Sequence, residues 1–185
     1  MELLEAVNTI LPYMGEHLIT RIETTRHPTV DLIVNAIARS SKELLTEGQW
    51  FNTSYVTLPV NTDGQIDAPS NALTVYGLDC RVSIRGGRLY NLDGATKYFT
   101  TPVRLKVIED MEFKDLPELA ASTVMYSALI EVYVSDFGVD TTIQAMQMKY
   151  VGNRDLLSQE NIRNRRFNSH AHVIKQSRAF SWIRR

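Results

Sequence analysis

The chain has 185 residues, of which 44% are hydrophobic and 22% are charged, as in a globular protein with one core or two small ones. Its net charge of −1 combines +6 in residues 151–185 with −7 in residues 1–150, which indicates contact between the basic segment and an acidic surface on a protein or a nucleic acid. No apolar run approaches the roughly 20 residues of a membrane-spanning helix, and the acidic N terminus lacks the basic start of a signal peptide, so we expect neither feature.

The first 48 residues have the pattern of two helices. Apolar residues recur at helical spacing from residue 3 to residue 14, and Pro12 is expected to kink or shorten this helix before Gly15 ends it. Pro28 is well placed for the first turn of a second helix, because the backbone N–H that proline lacks has no partner there. This second helix is predicted to end near Gly48.

Residues 53–109 have the alternation and turn chemistry of short antiparallel strands. Pro59 indicates an edge position for the first strand, and Asp63-Gly64 predicts a hairpin turn. Gly86-Gly87 predicts a type I′ turn, which needs positive φ at both central residues. The predicted strands are 55–60, 65–68, 73–76, 81–85, 88–91, 97–100 and 103–108.

The remainder of the chain is predicted to be helical. Asp115 is a candidate N-cap with Pro117 in the first turn, and an apolar helix then runs from residue 119 to Gly138. A second helix is predicted over 141–165, and the pattern weakens from residue 169.

These elements predict an α+β fold: a helical bundle formed by the N- and C-terminal arms, a central antiparallel β domain and an extended basic C-terminal tail. The predicted helical domain is discontinuous and takes residues 1–52 and 110–168. The β domain takes 53–109, and the tail takes 169–185.

The sequence holds no catalytic motif that we can identify. The stretch 85–88 could hold a phosphate, but the hairpin turn explains both glycines. His170 and His172 have no carboxylate or cysteine near them in sequence, so an exposed polar pair is favoured over a metal site. The lone Cys80 is interpreted as a structural thiol, and the acids in 109–112 as a solvated or interface patch. We therefore predict no catalytic, cofactor-binding or metal-binding residue, and we expect that the protein is not an enzyme.

Several stretches together resemble one known family. They are Ala6–Leu11 followed by Gly15-Glu16, Trp50–Asn52 before a Val-Thr-Leu strand, Ile66–Leu73, Arg85–Tyr90, and Phe113–Glu118. In this order and at this spacing, from about residue 4 to residue 140, they resemble the tail tubular protein A family, the head-to-tail adaptors of short-tailed bacteriophages.

The resemblance implies a structural protein of the virion tail, made in the host cytoplasm. It implies a ring, usually of twelve copies, that joins the portal to a tail nozzle resembling tail tubular protein B. DNA would pass through the lumen of this ring without sequence-specific binding, as part of the ejection channel. A different function, a nucleic-acid-binding module that uses the basic C-terminal segment, stays open as the alternative.

We predict two interfaces for such an adaptor, because aromatic residues among arginines are common interface anchors. The residues predicted to bind the portal are Arg163, Arg165, Arg166, Phe167, Arg178, Phe180, Trp182, Ile183 and Arg184. The residues predicted to contact the nozzle or a neighbouring subunit are Asp63, Gly64, Arg85, Gly86, Gly87 and Arg88.

Overall fold

The computed structural model describes residues 1–22 and 27–180, with side chains up to residue 165. The helices are α1 (Leu3–Ile10), α2 (Pro28–Thr46), α3 (Glu118–Phe137) and α4 (Thr141–Phe180). The strands are β1 (Thr53–Leu58), β2 (Ala72–Gly77), β3 (Val82–Arg85), β4 (Arg88–Asn91) and β5 (Val103–Glu109). Short 3₁₀ turns lie at Leu11–Met14, Trp50–Asn52 and Phe113–Asp115. The predicted α+β class is thereby confirmed.

The boundaries of the N-terminal helices follow the predicted signals. Pro12 lacks the N–H that α1 would need to continue, and the chain tightens into a 3₁₀ turn there. Gly15 ends this turn with φ 74°, a left-handed conformation that favours glycine. Pro28 is the first residue of α2, as predicted.

Helix α3 is apolar on most of its circumference because it packs between α2 and α4. Ala120, Ala128 and Leu129 on this helix have no exposed surface. One hydrophobic core joins all four helices, with contributions such as Val7 from α1 and Ile33 from α2.

Three strands form an antiparallel sheet in the order β1-β5-β2, with β1 at an edge. Strands β3 and β4 form a separate hairpin, and Gly86 (φ 58°) and Gly87 (φ 74°) make its turn as predicted. A second hydrophobic cluster fills the β region, with Ile66, Leu89 and Leu105 at its centre.

Two predicted strands are wrong. Residues 65–68 and 97–100 belong to no strand of the sheet or hairpin. Their alternation reflects burial instead, because Ile66 and Phe99 are core residues while single hydrogen bonds satisfy the backbone, such as Phe99 N–H to the Gly64 carbonyl at 2.8 Å. The Asp63-Gly64 turn is therefore a loop turn rather than the end of a hairpin.

The start of α3 and the end of α4 also differ from prediction. Asp115 lies in a 3₁₀ turn and caps no helix, and Pro117 takes the N-cap position of α3. Helix α4 has 40 residues and a length of about 60 Å. The predicted boundary between residues 168 and 169 falls inside it, and residues 181–185 lie outside the described part of the chain.

Candidate interaction surfaces

A buried asparagine joins the helices to the sheet. Asn52 is 1% exposed, and its amide nitrogen donates to the carbonyls of Leu45 and Glu109, both at 2.9 Å. Its carbonyl oxygen accepts from the backbone N–H of Gln49 at 2.8 Å. One side chain thus ties the end of α2 to the end of β5 and fixes the angle at which the two meet.

Helix α4 crosses this joint and forms a cationic cleft with the sheet. The guanidinium of Arg165 donates to the carbonyl of Gly48, and Arg154, about three helical turns earlier, forms an ion pair with Glu47. Trp50, Thr53, Tyr55, Lys106, Asn164 and Arg165 line the cleft, which has a volume of about 300 Å³. Burial and the nearby Arg165 lower the pKa of Lys106. Among the described residues, neither Lys106 nor Arg165 has an ion-pair partner.

Lys106 also lies in a row of exposed tyrosines. It pairs in register with Tyr55 on β1 and with Tyr76 on β2, and its ammonium lies 5.5 Å from the centre of the Tyr76 ring. Tyr55 is 67% exposed and Tyr76 is 51% exposed. Exposed aromatic rings around a cation are typical of protein interfaces rather than of a free surface.

An acidic surface lies where the N terminus of the chain meets the start of α3. Glu118 forms an ion pair with the terminal amine at 2.9 Å, and Glu112 forms one with Lys114 at 2.6 Å. These contacts raise the pKa values of both cations, with smaller contributions from Glu5 at the amine, from Asp115 at Lys114 and from Glu2 at both. Together with Asp110, these carboxylates form the acidic surface, and all six are exposed. They border a groove of about 280 Å³ with a largely apolar floor, lined by Leu3, Val34, Ile37, Ala38, Ser41, Lys42, Asp110, Met111 and Phe113.

The outer face of α4 carries exposed apolar side chains, which are interrupted by Asp155. Met148 is 70% exposed, and Val151 and Ile162 follow on the same face at helical spacing. The inner face buries Ile143, Met146 and Leu157 against the core. The outer face of α4 is therefore mixed, with a few exposed apolar side chains among polar ones, whereas its inner face is packed against the core.

The structure places the predicted nozzle or neighbour contacts in one region. Residues 65–68, which follow the Asp63-Gly64 turn, contact the β3–β4 hairpin, because the Ala68 N–H donates to the Gly87 carbonyl at 3.0 Å. Arg85 stacks on Tyr90 at 3.8 Å, and Arg88 binds Gln65 and pairs with Asp67. Both arginines hold the hairpin in place, and the exposed tip is the glycine pair itself.

The predicted portal-binding residues fall into three groups. Arg163 is exposed on α4, whereas Arg165 is held by Gly48 as described above. The backbone of Arg166, Phe167, Arg178 and Phe180 lies in α4, with side chains beyond the described part. Trp182, Ile183 and Arg184 lie outside the described residues. Sequence reasoning missed Asn52 and Lys106, because their partners are distant in sequence and no local pattern marks them.

Other kinds of site concern metal ions, membranes and the lone cysteine. In the described part of the chain, no group of three or more His, Cys, Asp or Glu is placed to hold a metal ion. No described helix is long and apolar enough to cross a membrane. Cys80 is half-buried, and burial raises the pKa of its thiol, which favours the unreactive protonated form.

Comparisons with known proteins agree with this architecture. The family described as tail tubular protein matches residues 4–167. The chain is 35% identical over 171 residues to tail tubular protein A of Klebsiella phage KP34, and the alignment covers 91% of each protein.

Proposed function

Because this chain belongs to the tail tubular protein family, we propose that it is the head-to-tail adaptor of a short-tailed bacteriophage. The family is one of structural tail proteins, and the chain is a component of the virion tail. In this role, copies of the chain form a ring, usually of twelve, that joins the portal to the nozzle and encloses part of the DNA ejection channel.

The observation that carries the proposal is the extent of the family match. Residues 4–167 include both helical arms and every strand, so the match concerns the whole architecture and not one shared module. A structural role agrees with the surfaces described above, which are broad and charged or aromatic. Interfaces, rather than deep pockets, are what a ring subunit needs.

Two separate regions of the subunit suggest two partners. The exposed Arg163 and the continuing α4 support a contact between the basic C-terminal segment and acidic groups of the portal. The Gly86-Gly87 tip and the Asp63-Gly64 turn, which lie in one β region, support a contact with the nozzle or with a neighbouring subunit.

The mass of the purified protein in solution, alone and with its portal, tests the proposal. A ring of twelve 21.1-kDa chains has a mass of about 250 kDa. The adaptor role predicts either this ring or a monomer that binds only to the portal. A stable monomer that ignores the portal, yet binds DNA with strong salt dependence, would favour the nucleic-acid-binding alternative instead.

A further inference from the structure

We infer that copies of this chain join head to tail by charge: the cationic cleft at Lys106 and Arg165 of one copy receives the acidic surface beside α1 of the next. The inference rests on the proposed ring and names the surfaces that would form it. The acidic surface consists of the six exposed carboxylates of Glu2, Glu5, Asp110, Glu112, Asp115 and Glu118.

Within the described part of the chain, the cleft holds two cations without a counter-charge. Burial and the neighbouring Arg165 lower the pKa of Lys106, and none of the described residues that line the cleft is acidic. Two neighbouring positive charges repel one another, so a carboxylate brought between them would be stabilised by both. A chain that leaves such a pair uncompensated in its monomer gains most when a partner supplies the anion.

The acidic surface has the opposite balance. Its six carboxylates face three nearby cations, which are the terminal amine, Lys42 and Lys114. Its excess negative charge therefore complements the cleft, and complementary potentials favour association in one orientation.

Shape supports the same pairing. The acidic surface borders a groove with an apolar floor that includes Val34, Ala38 and Phe113. The cleft is flanked by the exposed rings of Tyr55 and Tyr76. An aromatic ring seated in an apolar groove, with ion pairs around it, has the usual arrangement of an interface hot spot.

The groove and the contact between α2 and α4 lie on different faces of α2. Ala38 and Lys42 line the groove beside the acidic surface, whereas Glu43 and Glu47 line the contact with α4. With 3.6 residues per turn, these two pairs are about 140° apart around the helix, and Arg165 of the cleft belongs to the helix α4 that covers the second face. Each copy can then bind one neighbour on each side, and such a heterologous interface closes into a ring when the rotation per subunit permits.

Charge reversal with rescue tests the inference. The variant Lys106→Glu/Arg165→Glu and the variant Glu5→Lys/Asp115→Lys each remove one half of the interface, so each alone should lose the higher-order species seen for the wild type. A mixture of the two restores opposite charges at every contact, and assembly should return with alternating subunits. The control Lys97→Glu/Lys149→Glu makes the same charge change at exposed positions outside both surfaces and should assemble like the wild type.

Assembly is measured as mass in solution, alone and on the portal, with circular dichroism to check folding. If both reversed variants assemble like the wild type, or if the mixture fails to recover although both chains are folded, the inference is wrong while the proposed ring stands. If the wild type itself never assembles, alone or on the portal, both the inference and the proposed function fail.

Discussion

At the scale of single residues, Asn52 shows how one side chain can join two parts of a fold. It makes three hydrogen bonds within the protein, and its amide donors serve two carbonyls that belong to different elements. No sequence pattern marks this role, because Glu109 is 57 residues away along the chain. Residues 50–52 look in sequence like an aromatic plug, and only the structure shows that the asparagine carries the polar contacts.

Replacing Asn52 with alanine should destabilise the fold. The change removes the donor to the Glu109 carbonyl and the acceptor of the Gln49 N–H, whereas the Leu45 carbonyl keeps the N–H of Gly48. The two lost partners cost about 2–4 kcal/mol of unfolding free energy in total. Urea denaturation of the monomer measures this. Asn35→Ala, at an exposed position on α2, is the matched control and should change stability little. Equal stability of the two variants would show that the joint does not depend on Asn52.

Asp140 is a second residue whose role depends on a contact across a turn. Its carboxylate accepts hydrogen bonds from the Tyr133 hydroxyl at 2.8 Å and from the backbone N–H groups of Thr142 and Ile143 at the start of α4. The Tyr133 hydroxyl, helped by the two N–H groups, holds the pKa of this carboxyl below its ordinary value.

A depressed pKa stabilises the fold at neutral pH and loses this contribution on acidification. This contribution to stability is fully present above the ordinary pKa of 3.8, and it disappears as pH falls through the lower pKa of the folded state. Asp140→Ala should therefore melt at a lower temperature than the wild type at pH 7. This difference in melting temperature should narrow below a pH of about 3.8. Thermal melts across pH test this. A gap that stays constant would mean that the charge of Asp140 is unimportant.

At the scale of elements, helix boundaries could be predicted more reliably than strands. Proline and glycine act locally, so Pro12, Gly15 and Pro28 mark boundaries that the structure reproduces. Residues 65–68 and 97–100 alternate like strands, yet they are buried loop segments, because alternation reports burial and not the presence of a hydrogen-bonded neighbour. Strand pairing depends on distant residues and could not be derived from these stretches.

Removal of residues 169–185 should abolish portal binding and leave the fold intact. The described contacts between α4 and the core come from residues before this segment, among them Ile143, Arg154 and Leu157. Co-sedimentation with the portal measures binding, and thermal melting measures the fold. Alanine at Phe180, Trp182 and Ile183 in the full-length chain separates the loss of apolar anchors from the loss of helix length. A truncated chain that binds the portal normally would refute this assignment.

At the scale of the whole molecule, the structure shows where the charges of the asymmetric sequence lie. The basic half of the asymmetry extends along α4 into the cleft with Lys106, and part of the acidic half is gathered beside α1. The net charge and the basic segment could be predicted from composition. The placement of acids beside α1 and of cations between α4 and the sheet could not, because it depends on how these elements pack.

The family itself could be predicted from sequence, because its short motifs occur in a fixed order, and the match over residues 4–167 confirms this prediction. The interface residues stay a prediction. Helix packing and strand pairing within one chain do not determine what the exposed surfaces bind, so partners have to be tested directly.

Electron microscopy of the purified chain mixed with the portal and the nozzle of its phage tests the adaptor assignment most directly. The proposed function predicts a ring of this chain between the other two, with an open lumen and with α4 directed toward the portal. A particle in which portal and nozzle touch each other, with this chain elsewhere or absent, would contradict it.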